Sequence, residues 1–145
     1  MGYSVYSLAD TYTTITNPDV GQMVLSDEGA GRISWSYSGD MSSHTTTANG
    51  YTVINRLVSR NGQISIEVPV NSGADLFMRK LIKYLDSKST PTKRFALTNL
   101  VVKDSAMNRT NSFSGVTPRK KPDENYDQTA GNRQYELLYA ELVSQ

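Results

Sequence analysis

The chain has 145 residues, a net charge of +1 and no cysteine. This length fits one domain over residues 1–145, and the composition excludes disulfides and thiolate metal sites. The near-neutral charge gives no bulk attraction to nucleic acid or to membranes. Hydrophobic residues make up 37% of the chain, which predicts either a thin core or apolar surface that a partner subunit covers.

Charge is distributed unevenly along the chain. Residues 1–55 contain one basic and five acidic residues, a net of −4, whereas residues 56–145 contain fourteen basic and nine acidic residues, a net of +5. Two interpretations are open. The charges are scattered over a solvated surface, or the molecule has oppositely charged ends that stack head to tail.

The sequence shows no membrane-targeting segment. Its first residues, Met1-Gly2-Tyr3-Ser4, have neither the basic nor the apolar region of a secretory signal. No apolar run approaches transmembrane length. We therefore expect no membrane anchor.

The first third of the chain predicts short strands separated by turns. Residues 32–38 alternate apolar and polar side chains, with Ile33, Trp35 and Tyr37 on one face, which is typical of a half-buried strand. A polar loop or flexible ribbon follows at residues 39–50. The strands predicted in this part are residues 3–9, 11–16, 20–25 and 32–38.

A β-hairpin is predicted over residues 51–70. Asn61-Gly62 is the turn signal, because both central positions of a type I′ turn need a positive φ. Residues 51–60 form the first strand and residues 63–70 the second. In the second strand, the apolar residues Ile64, Ile66 and Val68 alternate with polar neighbours.

One helix is predicted at about residues 72–86. Ser72 is a suitable N-cap, and Asp75 stands three residues later, where its charge also favours the N-terminal end of a helix. Asp75 is four residues before Arg79, a spacing that allows a surface ion pair. The apolar face consists of Phe77, Leu81, Tyr84 and Leu85.

The last third of the chain returns to strands, at residues 94–104, 112–117 and 134–143, with a polar loop at residues 105–111. The terminal strand is apolar on both faces, so we expect a neighbouring subunit to cover one of them. Tyr135, Leu137 and Tyr139 lie on one face, and Leu138, Ala140 and Leu142 on the other. The order of elements predicts a mainly β fold, an antiparallel β-barrel or sandwich with one packed α-helix.

The residue types point away from catalysis. His44 is the only histidine, and no G-x-S-x-G nucleophile motif occurs. The acidic pairs Asp27-Glu28 and Asp123-Glu124 lie in predicted turns without apolar surroundings that would raise a pKa. We therefore predict no enzyme activity, no cofactor and no metal site. The many strand edges favour pairing with identical neighbours in a closed ring.

Three segments follow a recognisable order and spacing. They are Tyr3-Ser4-Val5-Tyr6-Ser7-Leu8-Ala9-Asp10, the strand–turn–strand–helix of residues 51–85, and the end Lys120-Lys121-Pro122-Asp123 with Tyr126, Gly131-Asn132 and Tyr135-Glu136-Leu137. Together, and at nearly the same total length, they resemble the tail tube proteins of contractile-tailed bacteriophages. That family is related in fold to the tube protein of type VI secretion.

The resemblance implies a structural role. Six copies would join their sheets into a ring, and stacked rings would form a hollow tube inside a contractile sheath, through which the genome passes. The implied partners are further copies, the tail sheath, the baseplate or tail tip, the tape measure protein, and double-stranded DNA without sequence recognition. The implied location is the virion tail, assembled in the host cytoplasm.

The resemblance also assigns side chains to surfaces. Gln63, Ser65 and Glu67 are the candidate lumen-facing residues. Arg56 and Arg60 are expected to pair with acidic residues of a neighbouring subunit or to point away from the lumen, because a DNA channel avoids strong cationic contacts. The candidate contacts between subunits or rings are Asp40, His44, Lys121, Asp123, Leu138 and Leu142.

Two other functions are open at this point. A delivery tube of the type VI class would share the fold and differ in its genomic neighbours. A β-barrel module that binds single-stranded nucleic acid or glycans would need exposed aromatic side chains on a basic strand face.

Overall fold

The computed structural model describes residues 11–25, 32–58, 60–104, 108–122 and 131–144. The predicted strand at residues 3–9 lies outside these ranges. Within them the elements are β1 Thr11–Asn17, β2 Gly21–Val24, β3 Arg32–Tyr37, β4 Ser42–Thr46, β5 Thr52–Arg56, β6 Gly62–Pro69, α1 Gly73–Asp86, a 3-10 turn Thr92–Arg94, β7 Thr98–Asp104, β8 Arg109–Pro118, β9 Asn132–Tyr139 and β10 Glu141–Ser144.

Eight strands form one antiparallel sheet in the order β2-β1-β7-β8-β9-β6-β3, in which β10 also pairs with β8. At the two ends, β2 and β3 each pair with one strand among the described residues. The sheet therefore does not close into a barrel, and its two halves pack around a shared core. This confirms the predicted mainly β fold with one helix, and it favours the sandwich over the barrel.

Long strands connect the two halves of the sheet. β8 pairs with β9 at Pro118↔Leu137 and, in the same register, with β10 at Glu141↔Ser114. The pairing along β8 is interrupted between these two residue pairs, at Gly115, which has a φ of 64°. A Cβ on Gly115 would lie only 2.7 Å from the Cβ of Ala140. The predicted terminal strand is therefore divided by a bend at Ala140 into β9 and β10. Bends of this kind are a usual way for strands to pass from one layer of a sandwich to the other.

Aromatic rings join β3 to the opposite half of the sheet. Trp35 meets Phe113 edge to face with ring centroids 5.3 Å apart, and Phe113 meets Tyr139 in the same way at 4.9 Å. The Tyr139 hydroxyl donates to the carbonyl oxygen of Ser36, so its polar tip is satisfied inside the core. The other core residues outside the helix are Ile15, Leu25, Ile64, Ile66, Val68, Leu100, Val102, Val116, Tyr135 and Leu137.

The helix forms as predicted, because its start carries strong local signals. The hydroxyl oxygen of Ser72 accepts a hydrogen bond from the backbone N–H of Asp75 at 3.2 Å. The helix ends at Asp86, where the Ser87 N–H bonds the carbonyl of Tyr84. Its buried apolar side chains, at helical spacing, are Ala74, Phe77, Met78, Leu81, Ile82 and Leu85.

The predicted hairpin of residues 51–70 is wrong. β5 pairs with β4, whereas β6 pairs with β3 and with β9. Residues 39–50, predicted as a loop, contain β4 and the turn into β5. The turn signal that operates is Asn49-Gly50: Gly50 has a φ of 79° and its N–H bonds the carbonyl of Thr47 at 3.0 Å. A turn followed by a glycine of this conformation is a common hairpin connection.

Two further boundaries differ from the prediction. The strand expected at residues 94–104 begins at Thr98, after a 3-10 turn, and leaves Phe95 and Leu97 exposed. The loop expected at residues 105–111 is shorter, because β8 starts at Arg109. Residues 105–107 of that predicted loop lie outside the described residues.

Candidate assembly surfaces

One face of β6 is polar. Gln63, Ser65 and Glu67 are half-buried and alternate with the fully buried Ile64, Ile66 and Val68, so they point away from the core. Across the strand pair, the amide of Gln134 donates to the Ser65 hydroxyl at 2.6 Å, and that of Asn132 donates to the Glu67 carboxylate at 2.9 Å. The three lumen candidates therefore share one continuous surface with β9.

This polar face, formed by the outward side chains of β3, β6 and β9, is nearly balanced in charge. Arg32 on β3 stands opposite Glu67 in the strand register. Glu136 on β9 accepts a hydrogen bond from Arg119 at 2.7 Å. The remaining outward positions are Ser34, Ser36, Gln63, Ser65, Gln134 and Leu138.

A two-stranded hairpin, β4 and β5, projects from the sandwich between β3 and β6. Every residue of both strands is exposed. One of its faces carries small polar contacts, since the Asn55 amide approaches the hydroxyls of Ser43 and Thr45 at 3.4 and 3.5 Å. On the other face His44 stands opposite Ile54. This places the predicted contact residue His44 on an exposed surface.

The hairpin exposes large apolar side chains rather than burying them. Ile54 is 70% exposed and Val58 is 71% exposed. Met41, Tyr51, Val53 and Leu57 are exposed as well. Exposed apolar patches of this kind mark surfaces that a partner covers.

A groove of about 770 Å³ lies at the base of the hairpin. It brings together two of the predicted contact residues, Asp40 and Leu142. Arg60, on its wall, approaches Glu141 of the same chain at 3.8 Å, whereas the sequence led us to expect an acidic partner on a neighbouring subunit. The other lining residues are Tyr37, Gly39, Met41, Arg56, Leu57 and Val58.

The other predicted contact residues lie elsewhere. Lys121 borders a second groove, of about 310 Å³, beside the helix, where its ammonium group lies 2.7 Å from Asp86. Leu138 is 39% exposed on the polar face. Leu142, by contrast, packs against the core from β10, so the two leucines lie in different surroundings within the chain. Asp123 lies outside the described residues.

A buried ionic cluster fixes the start of the helix to β9. Nη1 of Arg133 donates to both carboxylate oxygens of Asp75, at 2.9 and 3.0 Å, and the Tyr135 hydroxyl donates to one of them at 2.6 Å. The N–H of Asn71 donates to the same carboxylate at 3.0 Å. The Asp75 and Arg133 side chains are 0% and 4% exposed. The paired geometry satisfies charges that would otherwise be costly to bury.

The cluster shifts the pKa values of its members. Burial alone would raise the pKa of Asp75, but the hydrogen bonds from Tyr135 and Asn71 and the charge of Arg133 outweigh it and lower that pKa. Burial and the bond to Asp75 raise the pKa of Tyr135 to about 12. The carboxylate is therefore charged and the phenol protonated at neutral pH.

Nothing in the sequence predicts this cluster as a unit. The predicted pair of Asp75 with Arg79 is present, with 3.6 Å between the Arg79 Nε and an Asp75 carboxylate oxygen. The carboxylate is buried, however, and Arg133 is its closer partner at 2.9 Å. Arg133 is separated from Asp75 by 58 positions, and no local pattern links them. The only hint in the sequence is that Arg133 lies just before the alternating apolar residues of the terminal strand.

Among the described residues, no group of three or more His, Asp or Glu side chains is arranged to hold a metal ion. No helix in the same ranges is long and apolar enough to cross a membrane. The clearest features of the described surface are therefore the polar sheet face, the projecting hairpin and the two grooves. These are features of a surface that makes contacts.

Comparison with solved structures supports the fold. A component of the anti-feeding prophage baseplate has a TM-score of 0.66 at 12% identity, covering 100% of this chain and 97% of its own. The cap that terminates the anti-feeding prophage tube gives 0.63 at 8%, covering 100% and 93%. A chain of the sheath-tube complex of an extracellular contractile injection system, PVC, gives 0.58 at 12%, covering 93% and 87%.

Sequence comparison identifies the family. No curated protein sequence matches the chain. The profile of the family described as Bacteriophage PhiTE tail tube protein, however, matches residues 3–143. This match spans nearly the whole chain, and the protein belongs to the PhiTE tail tube family.

Proposed function

We propose that this protein is the repeating subunit of the tail tube in a contractile-tailed phage. The whole chain, residues 1–145, forms one tail-tube domain. Six copies join into a ring, and rings stack into a hollow conduit for the genome inside a contractile sheath. The observation that carries this proposal is the projecting hairpin, whose apolar side chains no part of the described chain covers.

Family membership already fixes the general role. The protein is a non-enzymatic structural component of a phage tail. Solved proteins of similar fold are titled as tube, cap and baseplate parts of contractile injection systems. What is proposed beyond this is the ring, the stacking, the conduit and the individual surfaces.

The hairpin is suited to self-association. A two-stranded hairpin is marginally stable in water when nothing packs on it. Ile54 and Val58 are 70% and 71% exposed, so contact with another copy would remove apolar area from water and stabilise both partners. We propose that a neighbouring copy covers the hairpin and the groove at its base, which contains the predicted contact residues Asp40 and Leu142.

Free strand edges favour a ring. β2 and β3 each have one neighbour within the described residues, and exposed edges of this kind pair with other chains. Pairing between different edges is head to tail, and it closes into a ring when the rotation between copies allows. Six such copies would produce one continuous inner sheet.

The polar face is the proposed lumen wall. Its serine, glutamine and paired charged side chains, including Gln63, Ser65 and Glu67, offer no excess of cations. Affinity for a phosphate backbone depends on lysine and arginine contacts. A balanced polar wall would therefore let double-stranded DNA slide without being held.

The proposed partners follow from the same arrangement. They are further copies of this chain, the tail sheath, the baseplate or tail tip, and the tape measure protein. The location is the virion tail, and assembly takes place in the host cytoplasm. The sheath-tube and baseplate contexts of the structural relatives support these partners.

A delivery tube for proteins is the second candidate. It is favoured by a structural neighbour whose title places it in an extracellular contractile injection system. Genes for a capsid and a tape measure next to this gene would favour the phage tail, whereas genes for a secretion baseplate would favour the alternative. The nucleic-acid or glycan module is less suited, because the outward positions of β6 carry no aromatic side chain.

Electron microscopy of the purified protein tests the proposal. We expect rings with six-fold symmetry, or tubes, at high protein concentration. The variant Ile54→Ser/Val58→Ser should remain folded and lose the tubes, whereas Leu76→Ser, which alters a side chain that is 56% exposed on the helix, should keep them. A wild-type protein that sediments only as a monomer and forms no tubes would contradict the proposal.

Cysteine labelling tests the lumen assignment, because the natural chain has no cysteine. In assembled tubes, Gln63→Cys should react with a small maleimide but not with one attached to a large polymer. Lys80→Cys, on the helix, should react with both. Reaction of Gln63→Cys with the large reagent along intact tubes would place the polar face on the outside.

A further inference from the structure

We infer that Asn49-Gly50, at the tip of the projecting hairpin, is a site of spontaneous covalent modification, and that this modification makes unassembled subunits unable to assemble. The reaction is deamidation through a cyclic imide, with water as the second reactant. The site itself follows from the geometry of the turn. Its effect on assembly rests on the proposed function, in which a neighbouring copy covers the hairpin.

Asparagine followed by glycine is the dipeptide in which this reaction is easiest. The backbone nitrogen of the second residue must reach the side-chain Cγ of the asparagine, and glycine has no Cβ to obstruct the approach. Two such dipeptides occur in the chain, Asn49-Gly50 and Asn61-Gly62. Because their local chemistry is the same, any difference in their reactivity must come from the folded structure.

The reaction exchanges one C–N bond for another and then consumes water. The Gly50 backbone nitrogen attacks Cγ of Asn49, the bond from Cγ to Nδ2 breaks, and the side-chain nitrogen leaves as ammonia with the proton of the Gly50 N–H. Water then opens the cyclic imide on one of its two sides. Opening at Cγ gives aspartate. Opening at the backbone carbonyl carbon gives isoaspartate, in which the main chain is longer by a methylene group. Both products carry a new negative charge.

Asn49-Gly50 lies in an open turn. All of residues 41–50 are exposed, and a Cβ built on Gly50 would meet no atom within 4 Å, so the imide and the attacking water have room. The Gly50 N–H makes a turn hydrogen bond to the Thr47 carbonyl oxygen at 3.0 Å. This bond belongs to a hairpin whose two strands are exposed throughout, and such bonds open at a low cost in free energy.

Asn61-Gly62 is held within the sheet instead. Gly62 is buried and begins β6, which pairs with both β3 and β9. A Cβ on Gly62 would overlap the carbonyl oxygen of Ser36, so the backbone there has no space to rearrange. The carbonyl oxygen of Asn61 also accepts a hydrogen bond from the Ser38 N–H at 3.1 Å. Formation of the imide at Asn61 therefore requires β6 to separate from its neighbours, which costs far more than opening a turn.

The products change the hairpin at the point where it closes. The Thr47 N–H bonds the Tyr51 carbonyl oxygen at 2.8 Å, and the Tyr51 N–H bonds the Thr47 hydroxyl at 3.2 Å. A methylene group added between these residues alters the loop that the two bonds close. The new carboxylate also joins a surface on which Tyr51 and Ile54 are 71% and 70% exposed. A charge that loses its hydration under a neighbouring copy is costly unless it is paired, so the modified hairpin is poorly suited to contact between copies.

Ageing of the purified subunit, at a concentration too low for assembly, tests the inference. Peptide mapping by mass spectrometry, together with labelling by an isoaspartate methyltransferase, follows each asparagine over time. We expect Asn49 to be converted at least about tenfold faster than Asn61. Aged protein is then concentrated, and the fraction that enters tubes is compared with that of its own fresh sample. This fraction should fall at least in proportion to the conversion of Asn49.

Two variants are matched controls. Asn49→Gln keeps the side-chain amide, but its longer side chain must form a larger ring and reacts much more slowly, so aged protein should assemble like its own fresh sample. Asn61→Gln should lose assembly on ageing as the wild type does. If aged Asn49→Gln loses assembly at the wild-type rate, other damage is responsible and the inference is overturned.

The remaining outcomes separate the modification from the proposed function. Fresh wild-type protein that forms no tubes contradicts the proposed function and with it the effect on assembly, while the conversion of Asn49 in the same samples still tests the site. Equal conversion of Asn49 and Asn61, or none at Asn49, overturns the inference. Aged wild-type protein that is converted at Asn49 and yet assembles like fresh protein also overturns it.

Discussion

Two regions of this protein depart from the usual pattern of exposed charged side chains and buried apolar side chains. At the start of the helix, the charged side chains of Asp75 and Arg133 are 0% and 4% exposed. In the projecting hairpin, the apolar side chains of Ile54 and Val58 are 70% and 71% exposed. The first region is satisfied within one chain, because every charge has a partner. The second has no cover within the described part of the chain, and we propose that another copy covers it.

We therefore expect different residues to stabilise the subunit and to assemble it. Substitutions at the buried cluster and in the core should lower the stability of the isolated protein. Substitutions in the hairpin should leave that stability unchanged and affect assembly. Pairs of matched residues, one from each kind of region, test this expectation.

The largest difference is expected for a pair of isoleucines. Ile66→Ala removes a fully buried side chain, so the free energy of unfolding should fall by about 3 kcal/mol. Ile54→Ala should change it by less than about 0.5 kcal/mol, because that side chain is mostly solvated. Urea unfolding of the monomeric proteins measures both values. Equal losses would mean that the hairpin packs on the monomer after all.

A pair of aspartates gives the next largest difference. Asp75→Asn leaves the buried Arg133 without its counter-charge and should cost about 3 kcal/mol. Asp40→Asn alters an exposed carboxylate and should cost less than about 0.5 kcal/mol. Thermal unfolding at neutral pH compares them. An unchanged melting temperature for Asp75→Asn would show that the cluster does not hold the helix to β9.

The sequence contains two Asn-Gly dipeptides, and each requires glycine for a different physical reason. A Cβ on Gly62 would overlap the carbonyl oxygen of Ser36 and the hydroxyl of Tyr139, so Gly62→Ala should destabilise the subunit by about 2 kcal/mol. Gly50 has open space around it but a φ of 79°. Gly50→Ala should cost about 1 kcal/mol and only within the hairpin. Hydrogen exchange of β4 and of β6 separates the local effect from the global one.

The smallest effect is a pH dependence confined to the buried cluster. The pKa of Asp75 is lowered from an ordinary value of 3.8, so its contribution is present above that pH and is lost as the pH falls through the folded pKa. The pKa of Tyr135 is raised from 10.0 to about 12, so its contribution is present below pH 10 and is lost as the pH rises toward 12. The stability gap between wild type and Asp75→Asn should be constant at neutral pH and shrink on acidification. A gap that widens in acid would contradict this sign.

Local signals in the sequence predicted several elements well. Ser72 and Asp75 set the start of the helix, because capping depends on residues three apart. The alternation in β6 correctly separated Ile64, Ile66 and Val68 from Gln63, Ser65 and Glu67. The inward face of the terminal strand, with Tyr135, Leu137 and Tyr139, was also correct. In each case a period of two or of 3.6 residues carries the information.

The candidate surfaces were predicted only in part. The sequence placed Asp40 and Leu142 among the contact residues, and they line one groove. It grouped Leu142 with Leu138, but the bend at Ala140 turns the two leucines into different surroundings. Sequence position is a poor guide to surface position once strands change layers.

The sequence by itself determined the family, the helix and which side of β6 and β9 faces the core. Only the tertiary structure decided which strands pair. Asn49-Gly50 and Asn61-Gly62 carry the same turn signal, but Gly50 lies in a hairpin turn with a φ of 79°, whereas Gly62 begins β6 and packs against Ser36 and Tyr139. The same holds for the burial of Asp75 with Arg133, 58 positions apart. Periodicity and capping act over a few residues, whereas strand pairing and buried ion pairs depend on the free energy of contacts between distant parts of the chain.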